Sequence, residues 1–97
     1  MPFQVILIPS AEKDLDYFRR FEQRLIVDGF KRYLRNDADV ENQHRKQLRD
    51  NPLAPWELRL GKYRVFYEVV NASTVKIVAI GYKNHNDLFI RGQKVEL

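Results

Sequence analysis

In the second half of the chain, apolar and polar positions alternate with a period of two, which predicts three β-strands. Residues 56–60 form the first strand, residues 63–70 the second and residues 74–80 the third. Tight turns at residues 61–62 and 71–73 join them. Strands joined by connections this short pair with their neighbours in an antiparallel meander.

The first half of the chain begins with a short strand and continues with helix. Residues 3–8 are mostly aliphatic or β-branched, and Pro9 ends that strand. Ser10 is then the predicted helix N-cap. Glu12 and Asp14 follow in the first turn, where the helix dipole favours negative charge.

Apolar residues recur every three or four positions between residues 15 and 34, which is the spacing of an amphipathic helix. The members of this apolar stripe are Leu15, Phe18, Phe21, Leu25, Ile26, Phe30, Tyr33 and Leu34. No glycine or proline near Arg20 decides between one helix and two over residues 10–35. Because a single helix of about 25 residues would overrun so small a core, we expect two antiparallel helices with a break near Arg20.

The remaining segments are polar. Residues 36–51 predict a loop that contains a short helix, and residues 81–92 are rich in turn formers. The predicted order is therefore β-α-α-β-β-β, an α+β fold in which two N-terminal helices pack on one face of a small antiparallel sheet. The other face is left to polar residues, and we expect Arg59 and Arg64 to converge on it from adjacent strands.

Length and composition indicate a single domain over residues 1–97 and exclude several classes of protein. The 97 residues include no cysteine, which excludes a disulfide framework, a zinc knuckle and a thiol nucleophile. The longest strictly apolar run, residues 5–8, is far shorter than the roughly 20 residues of a membrane span. The N-terminus lacks a signal-peptide pattern, so we expect a cytoplasmic protein without membrane contact.

Positive charge is concentrated in the second half of the chain. Residues 1–43 hold seven Lys or Arg and eight Asp or Glu, whereas residues 44–97 hold ten and five. A solvated basic face without a partner is one explanation. The asymmetry also suggests a polyanion or an acidic protein as partner, and it locates the expected working surface in the second half.

The residues of common active sites are absent or scattered. His44 and His85 are far apart in sequence and neither has carboxylates at ligand spacing, so we expect no metal site and no cofactor. Neither a nucleophile-elbow pattern nor a glycine-rich phosphate loop is present. What remains is a set of basic residues interleaved with aromatic residues, which can neutralise phosphates and stack on unpaired bases.

Arg64 is the most informative member of that set. An arginine in the middle of a strand needs an anionic partner. Glu57 and Glu68 could provide it as structural ion-pair partners, or a ligand could provide it. Tyr63 and Tyr67, by contrast, are explained as ordinary core residues of their strand.

The hairpin over residues 56–69 reads WELRLGKYRVFYEV and resembles the W-x-L-R-x-G-x-Y-R-V-x-Y hairpin of the RelE/ParE toxin superfamily. Residues 45–48 resemble the family's K-x-L approach to this hairpin, and residues 77–81 with the basic tail resemble its last strand. With the N-terminal strand and the two helices, the resemblance covers nearly the whole chain.

The resemblance implies a toxin of a type II toxin–antitoxin pair, neutralised by a cognate antitoxin protein. RelE-like members act on the ribosome and cut mRNA, whereas ParE-like members inhibit DNA gyrase and cut nothing. Three hypotheses follow. We favour a metal-independent, ribosome-dependent mRNA endonuclease over a gyrase inhibitor and over a degenerate relative that retains only antitoxin binding.

Carried over to this sequence, the family pattern implies that Arg64 contacts the scissile phosphate and that Lys83 and His85 complete the catalytic set. The interleaved basic and aromatic residues, together with the family's hairpin and its approach segment, give Arg59, Lys62, Lys46, Tyr82, Phe89 and Arg91 as candidate RNA-binding residues. Two positions depart from the pattern, because Glu57 stands where RelE has a second lysine and Phe89 stands where a catalytic tyrosine is expected. A phenyl ring cannot transfer a proton, so that task falls to His85, Tyr82 or Lys83.

Overall fold

Strands account for much of the chain and pair into one sheet. The computed structural model describes residues 2–96. The strands are β1 (Gln4–Leu7), β2 (Arg45–Gln47), β3 (Trp56–Leu60), β4 (Tyr63–Asn71), β5 (Thr74–Asn84), β6 (Asp87–Ile90) and β7 (Gln93–Val95). The order β2-β3-β4-β5-β6-β7 is antiparallel throughout, and β1 pairs in parallel with β5. The predicted α+β class is confirmed, with a larger sheet than predicted.

Two helices lie between β1 and β2, and the predicted break near Arg20 is confirmed. Helix α1 spans Pro9–Asp16, helix α2 spans Arg20–Gly29, and a π-helical turn follows at Phe30–Leu34. The prediction of Ser10 as N-cap is wrong, because the helix begins at Pro9, whose fixed φ and missing N–H suit the first helical position. Across residues 2–96, no helix is long and apolar enough to cross a membrane.

The apolar stripe of the helices is only partly buried. Ile26 and Leu34 are fully buried, but Phe21 and Leu25, one turn apart on α2, keep 58% and 55% of their surface exposed. Phe21 and Leu25 have the spacing of an amphipathic helix and lie on α2, but this spacing does not bury their side chains. Nothing in the described part of the chain packs over this side of α2.

The short helix predicted within residues 36–51 is absent, and the edge strand β2 forms instead. The Asn42 side-chain oxygen accepts the backbone N–H groups of His44 and Arg45 at 2.8 and 2.9 Å, which turns the chain into the strand. The buried guanidinium of Arg45 donates to the carbonyl oxygens of Val40 and Tyr33 at 2.8 and 3.0 Å. These bonds attach the polar segment to the rest of the fold.

The tail that was predicted as a polar, turn-rich segment forms two hairpins. Strand β5 runs to Asn84, four residues beyond its predicted end. The two residues that follow, His85 and Asn86, have φ values of 52° and 73°, and Arg91 and Gly92 have values of 49° and 77°. Positive φ at both central residues is the backbone of a type I′ turn, which matches the twist of antiparallel strands and so produces β6 and β7.

The helices cover one face of the sheet, as predicted. The main core lies between the helices and this face. Leu58 on β3, Val65 on β4 and Ile77 on β5 are fully buried against Ile26 and Leu34. Burial of an aliphatic side chain of this size contributes about 1.5–3 kcal/mol. This core fixes the register of the central strands, because a one-residue slip would expose the whole set.

The opposite face was predicted to be polar, but it holds a second, smaller apolar cluster. Phe66, Ala79 and Leu88 pack there with Ala54 from the segment before β3. Gly81 allows β6 to approach closely, because a Cβ atom at this position would collide with the backbone oxygen of Phe89. The polar surface of this face is therefore narrower than predicted.

Along one edge of β5, the residues between the segment paired with β1 and the segment paired with β6 have no strand partner. Asp14 of α1 bonds to the backbone there instead. Strand β1 pairs with β5 as far as Ile77, and β6 pairs from Tyr82 onward. One Asp14 carboxylate oxygen accepts the N–H of Ile80 at 3.1 Å, and the other lies 2.9 Å from Nε of Arg91. Burial raises the pKa of Asp14, although both contacts act in the opposite direction. Asp14 thus connects α1, β5 and the β6–β7 turn.

We expect Asp14→Ala to destabilise the fold, because it leaves the buried N–H of Ile80 without an acceptor. The free energy of unfolding, measured with urea, should fall by about 1–3 kcal/mol. Asp14→Asn keeps an acceptor oxygen and should cost less. The exposed Asp16→Ala serves as the control and should change little. Equal effects of Asp14→Ala and Asp16→Ala would contradict this assignment.

Candidate nucleic-acid interface

Basic side chains predicted to bind RNA share the face of the sheet that the helices leave uncovered. Arg59 on β3 lies directly opposite Arg64 on β4, and Arg64 lies opposite Gly81 on β5. Lys83 follows Gly81 by two positions and therefore points to the same side. We call this set the cationic face, and its members are Lys46, Arg59, Arg64 and Lys83.

Glu57, one of the departures from the family pattern, lies within the cationic face. It is opposite Lys46 of β2, which places Lys46 on this face as well. Its Oε1 lies 2.8 Å from Nε of Arg59, and its side chain is 5% exposed compared with 42% for Arg59. Glu57 therefore positions Arg59 and offsets part of the positive charge.

Neither carboxylate considered as an ion-pair partner for Arg64 serves in that role. Glu57 pairs with Arg59, and Glu68 lies 3.5 Å from the ammonium group of Lys76. Among residues 2–96, no acidic side chain forms an ion pair with Arg64. Neither glutamate therefore forms the structural ion pair considered for this mid-strand arginine, and backbone carbonyl oxygens hold its guanidinium instead.

The Arg64 guanidinium is held in place but incompletely bonded. Its Nη1 donates to the carbonyl oxygens of Gly61 and Tyr63 at 2.6 and 3.0 Å, whereas its Nε is buried without an acceptor. Burial lowers the pKa of Arg64, Glu57 acts in the opposite direction, and Arg59 lowers it further. An anion between Arg59 and Arg64 would relieve the repulsion between the two cations.

Three of the predicted RNA-binding residues lie on the other, helix-covered face. Tyr82 on β5 is opposite Phe89 on β6, and their rings stack with centroids 5.5 Å apart and planes 16° apart. Arg91 is held by Asp14. The structure does not bring Tyr82, Phe89 and Arg91 together with Arg64.

Lys62 and His85 occupy turns at the margins of the cationic face. The Lys62 ammonium lies 5.5 Å from the ring centroid of Tyr63, a residue of the main core. His85 is exposed and follows Gly81 by four positions, a distance of about 13 Å at the spacing of an extended strand. His85 therefore lies apart from Arg64 in this structure. No cluster of three potential metal ligands occurs in the part of the chain described here.

His44 lies beside Arg59, although the sequence pattern assigned it no role. Its Nδ1 is 3.2 Å from the Arg59 carbonyl oxygen, and its ring packs on Tyr33 with centroids 4.3 Å apart. A carbonyl oxygen can only accept, so Nδ1 carries a proton in this contact. His44 directly precedes β2, and the pairing of β2 with β3 brings it beside Arg59. Because β2 was not predicted from the sequence, this contact was not predicted either.

A cavity of about 250 Å³ opens on the helix-covered side, between the two helices and the β3–β4 turn. We call it the tyrosine pocket, and it is lined by Tyr17, Phe18, Arg19, Glu22, Lys62 and Tyr82. The rings of Tyr17 and Tyr82 are nearly parallel, with planes 8° apart and centroids 6.5 Å apart. Of this set, sequence reasoning had selected Lys62 and Tyr82 but had not placed them together.

Glu22 in this pocket is held as a carboxylate. Its Oε2 accepts the hydroxyl of Tyr63 at 2.6 Å, and its Oε1 accepts the backbone N–H of Arg19 at 3.2 Å. The bond from Tyr63 lowers the pKa of Glu22. Burial and the same hydrogen bond raise the pKa of Tyr63 to about 12, so the phenol keeps its proton.

Solved structures with the same fold come from toxin–antitoxin complexes. The chain is similar to a chain in the crystal structure of the toxin–antitoxin complex RelBE2 from Mycobacterium tuberculosis, with a TM-score of 0.69 and 21% identity over 86% of this chain and 100% of that one. It is also similar to a chain in the archaeal RelE–RelB complex from Pyrococcus horikoshii OT3, with a TM-score of 0.65 and 21% identity over 88% of this chain and 99% of that one. The fold is thus of the RelE type.

The family itself follows from the sequence. Residues 5–86 match the family described as ParE toxin of type II toxin-antitoxin system, parDE. The chain therefore belongs to the ParE toxin family, within the RelE/ParE toxins of type II toxin–antitoxin systems. The resemblance seen in the hairpin is confirmed. No curated protein matches the chain significantly in sequence.

The position of Arg64 directly opposite Arg59 predicts that the cationic face binds small anions. Inorganic phosphate should raise the melting temperature by a few degrees over chloride at equal ionic strength, because a ligand of the folded state stabilises it. Arg64→Gln should remove most of this rise. The exposed Arg24→Gln on α2 is the matched control and should retain it. Equal rises in the two variants would show that the anion binds elsewhere.

Proposed function

We propose that this toxin cleaves ribosome-bound mRNA in the cytoplasm without a metal ion, with Arg64 at the scissile phosphate. The observation that carries the proposal is that Arg64 lies directly opposite a second arginine, Arg59, while none of the described acidic side chains forms an ion pair with it. A guanidinium fork matches two phosphate oxygens, so a phosphodiester could bind both arginines.

The proposed chemistry uses the RNA's own 2′-hydroxyl. A base removes its proton, the 2′ oxygen forms a bond to phosphorus, and the bond to the 5′ oxygen breaks as that oxygen takes up a proton. Arg59, Arg64 and Lys83 would stabilise the additional negative charge on the phosphorane. His85, whose imidazole can both donate and accept a proton, is our candidate for proton transfer at the Lys83 end of the face.

The partner we propose is a cognate antitoxin. Both similar structures are toxin–antitoxin complexes, which supports such a partner for this chain. A basic surface that binds RNA would also attract an acidic antitoxin segment, since both ligands present negative charge. The ribosome and mRNA are proposed on the chemistry of the cationic face alone.

Gyrase inhibition is the second candidate function. The matching family is described by the name ParE, and the ring of Phe89 lies away from Arg64. A chain that cuts nothing needs no group for proton transfer, so the distance between His85 and Arg64 presents no difficulty for this alternative.

Arg64→Ala should abolish cleavage of ribosome-bound mRNA while leaving the fold intact. Loss of a charged group that binds the transition state typically lowers the rate by 10²-fold or more, by analogy with oxyanion-hole donors. Primer extension on ribosome complexes measures the cleavage, and circular dichroism measures the fold. Arg24→Ala is the control and should cleave normally. If Arg64→Ala unfolds, or cleaves as fast as the control, the role assigned to Arg64 is wrong.

His85→Asn tests the proton transfer, because asparagine tolerates the positive φ of this turn and removes the imidazole. Single-turnover cleavage should slow by about 10²- to 10⁴-fold, with little change in RNA affinity. Phe89→Tyr should not raise the rate, because its ring lies on the opposite face from Arg64.

If His85→Asn cleaves at the wild-type rate while His44→Gln is slow, His44 transfers the proton instead. If the unmodified protein leaves ribosome-bound mRNA intact and yet inhibits purified gyrase, the endonuclease proposal fails and gyrase inhibition replaces it.

A further inference from the structure

We propose that the tyrosine pocket binds a guanine base of the RNA, stacked on the exposed ring of Tyr17 beside Tyr82, with Glu22 recognising its Watson–Crick edge. This inference rests on the proposed function in that it takes RNA as the ligand. It adds a base-recognition site on the side of the hairpin away from the cationic face, lined by residues that the strand arginines do not touch.

The aromatic part of the pocket is suited to stacking. Tyr17 is 50% exposed although it is a large aromatic residue, and its ring lies parallel to that of Tyr82. Phe18 packs edge-on against both rings, with its plane at 87° to that of Tyr17 and at 79° to that of Tyr82. This contact fixes the orientation of the two rings. The exposed ring of Tyr17, held parallel to the half-buried ring of Tyr82, presents a flat surface of the kind on which unpaired bases stack.

The carboxylate of Glu22 supplies the base specificity. A carboxylate offers about two acceptor positions on each oxygen. The N–H of Arg19 occupies one position on Oε1, and the hydroxyl of Tyr63 occupies one on Oε2. Each oxygen therefore keeps one free position. Guanine is the base that presents two adjacent donors, N1–H and N2–H, on its Watson–Crick edge, and these match the two oxygens.

The positive charges of the pocket suit the phosphate of the same nucleotide. Arg19 and Lys62 both line the pocket and together outweigh the single charge of Glu22. Lys62 also belongs to the turn that joins Arg59 to Arg64, and its carbonyl oxygen accepts the backbone N–H of Lys83 at 2.8 Å. The pocket and the cationic face are therefore held on opposite sides of one hairpin end, where one RNA strand can contact both.

Binding of single nucleotides to the purified full chain tests this inference without any cleavage assay. We expect GMP to bind more tightly than AMP, CMP or UMP in calorimetric titrations, and to shift the amide resonances of residues 17–22. Glu22→Gln should reduce the preference for GMP by about tenfold. Tyr17→Ala should weaken GMP binding at least about fivefold, the lower end for loss of one stacking ring.

Matched controls separate the pocket from general charge and exposure. Phe21→Ala removes an exposed aromatic side chain just outside the pocket and should leave GMP binding unchanged. Arg24→Gln removes a positive charge from the same helix and should also have no effect. Inorganic phosphate, which we expect to bind the cationic face, should not shift the amide resonances of residues 17–22, because it makes none of the base contacts.

Several outcomes would overturn the inference. These are equal affinity for the four nucleotides, or Tyr17→Ala behaving like Phe21→Ala. The outcome is independent of the endonuclease proposal. GMP binding in a chain that leaves ribosome-bound mRNA intact would support the pocket and refute cleavage. Arg64-dependent cleavage without a preference for GMP would do the reverse.

Discussion

The position of Arg59 directly opposite Arg64 on the β3–β4 hairpin is the constraint on which the site depends. Like charges facing each other across two strands are destabilising. The fold tolerates them because Glu57 pairs with Arg59, while the backbone carbonyls of Gly61 and Tyr63 hold Arg64. The repulsion that remains between the two guanidinium groups is a cost to the folded state. An anionic ligand would recover it, and this links the stability of the hairpin to its function.

The rest of the sheet keeps this arrangement rigid. Strand β4, which carries Arg64, is covered on both faces, by the main core at Val65 and by the smaller cluster at Phe66. Gly61 has a φ of 60°, which glycine adopts without strain, and its carbonyl oxygen is one of the two that bind Arg64. The tight turn therefore both sets the register of the two arginines and holds one of them.

Local pattern was enough to predict the central hairpin but not the elements that depend on distant contacts. Trp56–Leu60 was predicted with its observed bounds, because alternation and a glycine turn are local signals. The hairpin turns at His85-Asn86 and Arg91-Gly92 were not predicted, because neither has the Asn-Gly or Asp-Gly pair that favours positive φ at both central positions. Phe21 has the right spacing for burial, yet no element packs over it.

The same limit applies to the candidate site. Alternation placed Arg59 and Arg64 on one face, as predicted, but the pairing of Glu57 with Arg59 rather than Arg64 depended on geometry that spacing does not determine. The tyrosine pocket could not be predicted from spacing, because Tyr17 and Tyr82 come from segments 65 residues apart. Only the packing of α1 and α2 on the end of β5 brings them together.

The salt dependence of RNA affinity tests the central claim most directly. Each phosphate that a cation neutralises on single-stranded RNA contributes about −0.7 to the slope of log affinity against log salt concentration. Arg64→Gln should therefore make the slope shallower by about that amount, whereas the control Arg24→Gln should keep the wild-type slope. If the Arg64→Gln slope equals that of wild type, Arg64 does not bind a phosphate and this account of the cationic face is wrong.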